Sequence, residues 1–340
     1  MSSQHTNLSE TRTTPSSGRN TKRERYPGRW LPRGLRRIGL VGAVVLVSSA
    51  IGAVATNYLI ASQIVNSVGR ISGVFDGLDP ATRPTADPAA AKGETILAIG
   101  SDLSGSDSDS APAGSHMLLP HQLTDVIMLI RFDRLRGTLS VVSLPRDSWV
   151  EVPDFGKMKL HAAYPLGGPP LLIRTVEQLT QLRIDHFMVI DFAKFQSTVR
   201  LATDQAPADP DSRTGLPEED LARIRSQQHV LRAVLAGLAQ DPMQKPLQVY
   251  RLLEATTQAV AVDEAYQPDK LRELGMEAAR LPEDRIWFLI APVKETGWEN
   301  DQNVVHLDGE RASALWQALR SDTMADYVAQ HPAELLSATP

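Results

Sequence analysis

The sequence predicts an α/β or α+β sandwich, in which helices cover a sheet, preceded by one membrane-spanning helix. The 340 residues are 42% apolar, enough for a substantial core, and 22% charged residues with a net charge of -5 argue against wholesale disorder. Short apolar runs rich in β-branched residues are interspersed with amphipathic helical stretches. A long uncharged run lies near the amino terminus.

Residues 1–37 are predicted to form a disordered, basic cytoplasmic tail. They contain nine Lys or Arg residues against two acidic residues, and they show little apolar periodicity. The basic segment is short and shows no helix-turn-helix pattern, so we expect no nucleic-acid partner.

Residues 38–61 are predicted to form a transmembrane signal anchor in the lipid bilayer. These 24 residues carry no charge, and Arg33, Arg36 and Arg37 precede them directly. At about 1.5 Å per residue the run is long enough to cross a bilayer core. A cleaved signal peptide would have an apolar region of about 7–15 residues nearer the start, and a buried soluble helix is the other alternative. The positive-inside rule keeps the basic tail cytoplasmic and puts everything beyond the anchor outside the membrane, without cytosolic ATP.

The rest of the chain is divided into three parts. Residues 62–93 are interpreted as a stalk and a Pro/Ala-rich linker. Residues 94–322 are predicted to form the extracytoplasmic folded domain, and residues 323–340 a carboxyl-terminal tail.

The folded domain should contain strands and helices that alternate irregularly. Strands are expected at 94–100, 125–133, 138–145, 186–192 and 286–293. Helices are expected at about 169–182, 193–202, 219–240, 247–262, 268–281 and 308–321. A polar loop at 102–122 leaves the first strand at its carboxyl end, where α/β proteins commonly bind ligands.

Charged residues lie where three of these strands meet their loops. Asp102 follows the first strand, Asp125 opens the second, and Arg146 and Asp147 follow the third. Carboxylate oxygens suit Mg²⁺ and the planar guanidinium suits phosphate, so this set could hold a diphosphate together with a metal ion. A surface salt-bridge cluster is the alternative, and spacing alone does not decide between them.

Arg223 and Gln227 form a second candidate pair. They lie four residues apart in the predicted helix 219–240 and therefore share a face, whereas Arg225 points elsewhere. Such a pair can grip one phosphate, but it can equally be the solvated stripe of an amphipathic helix. The chain has no cysteine and its histidines lack metal-ligand spacing, which excludes thiol nucleophiles and makes a zinc site unexpected.

Four segments resemble, in this order, the LytR-CpsA-Psr family. They are ILAIGSD at 96–102, TDVIMLIRFD at 124–133, the stretch 138–195 and RTGLPEEDLARIRSQQHVL at 213–231. The third is the most specific, because SLPRDS, K-x-H-A-A-Y and G-G-P occur together in it. The resemblance covers about residues 94–240.

This resemblance implies an α-β-α sandwich with a central mixed sheet. It also implies an extracytoplasmic phosphotransferase that moves a glycopolymer from an undecaprenyl or decaprenyl diphosphate carrier onto peptidoglycan, with Mg²⁺ and without a nucleotide. The carrier's own diphosphate bond would then supply the driving force. The style of the sequence suggests an actinobacterial member.

The family pattern also implies residue roles. Asp102 would hold Mg²⁺, and Asp125 would hold it or help to deprotonate the acceptor hydroxyl. Arg146 would bind the diphosphate as a catalytic residue, with Asp147 orienting it. The remaining diphosphate ligands would be Arg213, Arg223, Gln227 and Lys159, with a structural role as the alternative for Lys159.

The sequence departs from the family pattern in two places. Leu123 stands where the family usually has an arginine, two residues before Asp125. Only 17 residues separate Phe195 from Arg213, where the family usually has a longer segment with a hairpin and a Tyr-x-Arg-x-Arg strand, and Asp211 takes the place of the first arginine. These departures predict a shortened, divergent member whose pocket lacks one wall. The alternative function is therefore a catalytically impaired relative that binds polyprenyl-phosphate lipid, or that scaffolds or regulates cell-envelope enzymes.

Overall fold

Among the described residues, seven strands form a central mixed sheet. The computed structural model describes residues 68–85, 93–101, 126–192, 217–238 and 257–335. In chain order the strands are β1 (Gly69–Ile71), β2 (Gly93–Ser101), β3 (Val126–Asp133), β4 (Thr138–Leu144), β5 (Trp149–Val152), β6 (Gly156–Lys159), β7 (His186–Asp191), β8 (Val260–Asp263), β9 (Ile286–Ile290), β10 (Val293–Glu299) and β11 (Gln302–Leu307). The sheet has the order β1-β8-β7-β2-β3-β4-β9. The pairs β2–β3, β3–β4 and β7–β8 are antiparallel, and the other three are parallel.

Two antiparallel hairpins, five α-helices and three short 3₁₀ helices complete the described part. The hairpins are β5–β6 and β10–β11. The helices are α1 (Ala163–Thr180), α2 (Pro217–Leu238), α3 (Pro268–Ala279), α4 (Gly309–Arg320) and α5 (Met324–Gln330).

Alternating residues of the strands pack against helices on opposite faces of the sheet. Leu97 and Ile99 of β2 belong to a core cluster with residues of α1 and α4. Ile96 and Ala98 belong to a second cluster with residues of α2 and α3. Because successive side chains of a strand point to opposite faces, the sheet lies between two helical layers. This confirms the α/β sandwich with a central mixed sheet.

Helix α1 contains a kink close to its amino terminus. Gly168 has φ 63° and Gly167 also has non-helical angles, and two prolines follow at 169 and 170. Proline is compatible with the first turn of a helix but not with its interior, so the regular part of α1 begins there. The predicted helix 169–182 corresponds to this regular part.

Most of the strands and helices predicted from periodicity are confirmed. The four predicted strands between 94 and 192 correspond to β2, β3, β4 and β7, and the helices at 219–240, 268–281 and 308–321 correspond to α2, α3 and α4. The predicted strand 286–293 divides into β9 and the beginning of β10. The predicted helix 193–202 lies outside the described residues.

The predicted stalk at 62–93 is wrong for residues 68–85. Strand β1 pairs in parallel with β8, and Val68, Ile71 and Val74 are buried. The Arg70 guanidinium donates to the carbonyl oxygens of Asp263 and Tyr266. A three-residue edge strand is too short to show a periodicity, which is why the sequence pattern missed it.

The predicted helix 247–262 is wrong at its carboxyl-terminal end. Residues 260–262 belong to β8, all four residues of which are buried. A short apolar run buried on both faces has the same sequence pattern as a buried helical segment.

The carboxyl-terminal tail predicted at 323–340 is wrong for residues 323–335. Helix α5 buries Met324 and Tyr327 in the same core cluster as α1 and α4, and Leu335 bridges to Leu289 of β9. No helix in the described ranges is long and apolar enough to cross a membrane. The anchor predicted at 38–61 lies outside those ranges.

Gly100 near the end of β2 is expected to tolerate no side chain. A Cβ built there would lie 2.3 Å from the ring of Phe192, which is fully buried. Gly100→Ala should lower the free energy of unfolding by about 1–3 kcal/mol, measured by urea denaturation. Gly275→Ala in α3 is the matched control: its Cβ would meet no atom within 4 Å, and a helical Gly→Ala exchange should stabilise by about 0.5–1 kcal/mol. Equal effects of the two exchanges would contradict the packing of Phe192 on Gly100.

Candidate functional site

The carboxyl end of β2 meets the amino end of β3 at one edge of the sheet. Gly100 of β2 pairs with Val126 of β3. Asp102 comes two residues after Gly100, and Asp125 directly precedes Val126. Both acidic residues lie outside the described residues, so their role as Mg²⁺ ligands stays a prediction. The strand register supports it, because it brings together the described residues next to both.

Asp191 adds a carboxylate at this edge that the sequence analysis missed. It is the last residue of β7 and pairs with Ser101 in the parallel β2–β7 ladder. Its backbone N–H donates to the carbonyl of Ala259 at 2.8 Å. The same rule that selected Asp102 could have selected Asp191, because it also ends a predicted strand. Within the described ranges, no group of three or more His, Asp and Glu side chains forms a candidate metal site.

Arg146 lies in a tight turn directly after β4. Proline at 145 interrupts the strand ladder, and the N–H of Ser148 donates to the Pro145 carbonyl at 3.0 Å. The Arg146 carbonyl accepts a hydrogen bond of 3.0 Å from the N–H of His161. The backbone of this turn is therefore held in one conformation. The Arg146 side chain that it carries is half-buried.

Asp147 is buried in the same turn, and its carboxylate lies close to the side chains of Lys159 and His161. The Lys159 ammonium lies 3.0 Å from its carboxylate, and the His161 ring nitrogen Nδ1 lies 3.4 Å away. Burial alone would raise the pKa of Asp147, but hydrogen bonds and charge from His161 and Lys159 outweigh it, and the pKa lies below its ordinary value. The carboxylate therefore stays ionised and fixes the turn to β6.

This pairing bears on two predicted roles. Lys159 has a side chain that is only 17% exposed, and its ammonium is engaged by Asp147. The structural alternative for Lys159 is therefore favoured over diphosphate binding. Asp147 positions Arg146 through the turn and through His161, while a direct orienting contact between the two stays a prediction.

The turn is also held from its other side by the β10–β11 hairpin. The N–H of Val305 in β11 donates to the Asp147 carbonyl at 2.9 Å, and Val305 forms a parallel bridge with Ser148. The N–H of Leu160 donates to the Ser148 carbonyl at 2.9 Å. Backbone contacts on both sides thus restrict the segment that carries Arg146.

Helix α2 presents Arg223 and Gln227 one turn apart, as predicted. Gln227 is fully buried, Arg223 is half-buried and Arg225 is exposed. The helix therefore turns the predicted pair inward and Arg225 outward. The solvated-stripe alternative is wrong for Gln227. Arg213 lies outside the described residues.

Gln228 fixes α2 to the sheet and was not found by sequence reasoning. Its side-chain Nε2 donates to the hydroxyl of Ser143 at 2.7 Å and to the carbonyl of Leu289 at 2.6 Å. Ser143 lies in β4 three residues before Arg146, so Gln228 brings α2 to the strand end that carries Arg146. A fully buried amide with two such bonds is a strong constraint. Nothing in the local sequence distinguishes Gln228 from its neighbour.

Comparison with known proteins agrees with this architecture. Residues 71–201 match the model of the LytR_cpsA_psr family. Probable cell wall biosynthesis protein LcpB of Corynebacterium glutamicum is 37% identical over 131 residues, a segment that covers 37% of this chain and 31% of LcpB. The chain therefore matches less than a third of the length of this relative. Leu123 and the whole of the shortened segment 196–212 lie in ranges that the structure does not describe.

Two solved structures show a similar fold. Bacillus subtilis TagV aligns with a TM-score of 0.51 and 17% identity, over 68% of this chain and 98% of TagV. The LytR-Csp2A-Psr enzyme from Actinomyces oris aligns with a TM-score of 0.51 and 18% identity, over 74% of this chain and 95% of that one. The family-model match includes the SLPRDS turn that carries Arg146 and most of the central sheet. Over residues 71–201 the chain therefore matches the LytR-CpsA-Psr family.

Proposed function

We propose that this protein is an extracytoplasmic phosphotransferase that moves a glycopolymer from a polyprenyl-diphosphate carrier onto peptidoglycan. The observation that carries the proposal is the arrangement of polar groups around one sheet edge. Arg146 follows β4. Helix α2, which carries Arg223 and Gln227, is fixed to β4 by Gln228. At the same edge Gly100, two residues before Asp102, pairs with Val126, which directly follows Asp125.

The chemistry of these side chains suits a diphosphate. A guanidinium presents parallel N–H donors that match phosphate oxygens, and it stays charged at every physiological pH. Arg146 and Arg223 are half-buried, so their interaction with an anion is screened less than at an open surface. The buried amide of Gln227 offers an additional donor without adding charge.

Asp102 and Asp125 are the residues that would hold Mg²⁺. Their carboxylates are the hard oxygen ligands that this ion prefers. When bound, Mg²⁺ would neutralise charge on the diphosphate oxygens.

In the proposed reaction an acceptor hydroxyl of peptidoglycan attacks the phosphorus that bears the glycan. Asp125 takes the hydroxyl proton, and a new phosphodiester bond forms between the glycan and the acceptor. The bond from that phosphorus to the bridging oxygen breaks, and polyprenyl monophosphate leaves with the electron pair. Arg146 stabilises the negative charge that grows on the leaving phosphate. The diphosphate bond supplies the free energy, so no nucleotide is required.

The proposed location is the outer face of the cell membrane. A signal anchor at 38–61, with a cytoplasmic amino terminus, would hold the folded domain beside a carrier lipid that is itself embedded in the bilayer. Tethering raises the effective concentration of the domain near its substrate.

The proposal is tested with the full-length chain in detergent or liposomes. The substrates are a labelled glycan on a short-chain polyprenyl diphosphate and soluble peptidoglycan oligomers. We expect transfer of label to the oligomers with Mg²⁺, loss of transfer with EDTA, and recovery when Mg²⁺ is added back. Carrier binding without any transfer would overturn the proposal and favour the catalytically impaired relative, for which Leu123 is the sequence observation.

A further inference from the structure

Trp298 is a large aromatic side chain exposed on the β10–β11 hairpin. It is 73% exposed, more than any other large apolar side chain in the described part of the chain. Tryptophan is usually well buried, because it exposes more apolar area than any other residue when it is not. Such a ring is a candidate contact for a ligand.

The hairpin holds this ring in a defined position. Trp298 pairs with Asn303 and Glu299 pairs with Gln302, so only Asn300 and Asp301 form the turn. Both turn residues have positive φ, 50° and 60°, the geometry of the tight hairpin turns whose twist matches the strands. The ring is therefore one residue away from a rigid turn and is attached to a paired strand.

The accessible neighbours of Trp298 on its face of the hairpin are polar, whereas Val305, which lies across from Thr296 on the same face, is fully buried. Because side chains alternate along a strand, Thr296 lies on the same face as Trp298, and Asn303 lies directly across from it. We call these three residues the Trp298 face. An aromatic ring beside a hydroxyl and an amide combines an apolar surface with hydrogen-bonding groups at its border.

The opposite face of the hairpin is stabilised by its own contacts. His306 lies 3.5 Å from the Glu299 carboxylate. Gly297 permits this approach, because a Cβ there would lie 3.3 Å from the His306 ring. These contacts stiffen the hairpin and leave the Trp298 face for a ligand.

The charge of the hairpin selects against anionic ligands. Glu295, Glu299 and Asp301 are acidic, and Lys294 is the one Lys or Arg residue between Val293 and Leu307. Its ammonium lies 3.6 Å from Glu295. A bilayer anchor at an anionic membrane would need basic residues and further apolar side chains around the tryptophan. The surroundings of Trp298 therefore favour an uncharged ligand.

A pyranose ring of a sugar fits these features. Its C–H groups form an apolar face that can stack on an indole, and its hydroxyl and acetamido groups lie around the rim. Asn303 and Thr296 can exchange hydrogen bonds with such groups. The combination of one flat aromatic surface and neutral polar side chains thus indicates a neutral carbohydrate.

The hairpin is attached to the candidate site. Strand β10 starts three residues after the end of β9, and β11 is hydrogen-bonded to the turn that carries Arg146. Strand β11 also contacts α2, the helix of Arg223 and Gln227. A ligand on the Trp298 face would therefore be held next to the proposed diphosphate site.

We propose that the Trp298 face binds a neutral N-acetylhexosamine unit of the acceptor glycan and so positions the acceptor for transfer. This inference rests on the proposed function, because the acceptor is defined by it. Trp298 is a binding residue in this scheme and takes no part in the chemistry.

Binding is tested on the full-length chain with an oligomer of N-acetylglucosamine, an uncharged probe, by isothermal titration calorimetry. Trp298→Ala should weaken binding roughly tenfold or more, because it removes the apolar area that stacks on the sugar. Trp298→Tyr keeps a ring and should recover part of the affinity. Leu135→Ala is the matched control: Leu135 is 64% exposed but lies in the β3–β4 turn, and its exchange should leave binding unchanged.

A kinetic measurement separates this inference from the proposed function. Trp298→Ala should raise KM for peptidoglycan oligomers and leave KM for the carrier unchanged, whereas Arg146→Ala should keep oligomer binding and lose turnover. Wild-type affinity in Trp298→Ala would overturn the inference even if transfer occurs. If the chain binds sugar through Trp298 but transfers no glycan, the assignment of the bound sugar to the acceptor is overturned. Trp298-dependent binding to phosphatidylglycerol vesicles, without sugar binding, would overturn it in favour of a membrane contact.

Discussion

Replacement of Arg146 by alanine is expected to reduce turnover about 100-fold or more, while carrier binding weakens by much less. Negative charge grows on the leaving phosphate in the transition state, so a cation aimed at it contributes more there than in the ground state. The turn around Arg146 is fixed by backbone hydrogen bonds from Ser148 and His161, and it should survive the exchange. The measurement is transfer of labelled glycan beside direct binding of the carrier lipid.

Two further variants sharpen this test. Arg146→Lys retains the charge but loses the two-pronged donor geometry, so it should recover only part of the lost turnover. Arg225→Ala removes an exposed arginine from α2 and should leave turnover unchanged. Equal activity of wild type, Arg146→Ala and Arg146→Lys would mean that Arg146 has only a structural role.

Breaking the buried ion pair between Arg131 and Asp322 is expected to lower the free energy of unfolding by about 3–5 kcal/mol. Arg131 of β3 donates to the Asp322 carboxylate through Nε at 2.9 Å and Nη2 at 3.1 Å, and to the Thr95 hydroxyl at 2.8 Å. Both charged side chains are buried. Burial raises the pKa of Asp322, against the opposing effect of Arg131. Arg131→Met would therefore leave a carboxylate in a site that disfavours its charge.

A double-mutant cycle measures this pair directly. Asp322 has φ 54°, a conformation that asparagine tolerates, so Asp322→Asn removes the charge without backbone strain. The double variant Arg131→Met/Asp322→Asn should be less destabilised than the sum of the two single variants, by urea denaturation. Arg174→Met is the control, because the Arg174–Asp154 pair is 45% and 71% exposed and should contribute at most about 1 kcal/mol. Strict additivity of the two buried exchanges would contradict the pairing.

The parts of the fold that were predicted correctly have long or strongly patterned segments. Strands β2, β3 and β4 are seven to nine residues long and consist mainly of apolar residues. Helix α2 extends over 22 residues. This length is enough for the helical period to predict that Gln227 points inward and Arg225 points outward. Arg146 was selected because the SLPRDS motif is specific and lies where a strand ends.

The parts that were missed depend on contacts between residues far apart in the chain. Strand β1 is a strand because it pairs with β8, nearly two hundred residues later. Likewise, Gln228 differs from Gln227 only in reaching Ser143 and Leu289. No local pattern contains such information, because a buried amide or a short edge strand acquires its partner only when the chain folds.

The amino-acid sequence therefore indicates the resemblance to the LytR-CpsA-Psr family, the sandwich of helices on a sheet and the turn that carries Arg146, since these follow from motifs and local periodicity. Folding in three dimensions assigns the partners of Asp147, the position of α2 against β4 and the packing of apolar residues from segments 68–85 and 323–335 into the core. It also leaves Trp298 exposed on the hairpin whose Val305 is hydrogen-bonded to the Arg146 turn. The physical reason is that burial and pairing are properties of the whole packed chain, whereas periodicity is a property of a few consecutive residues.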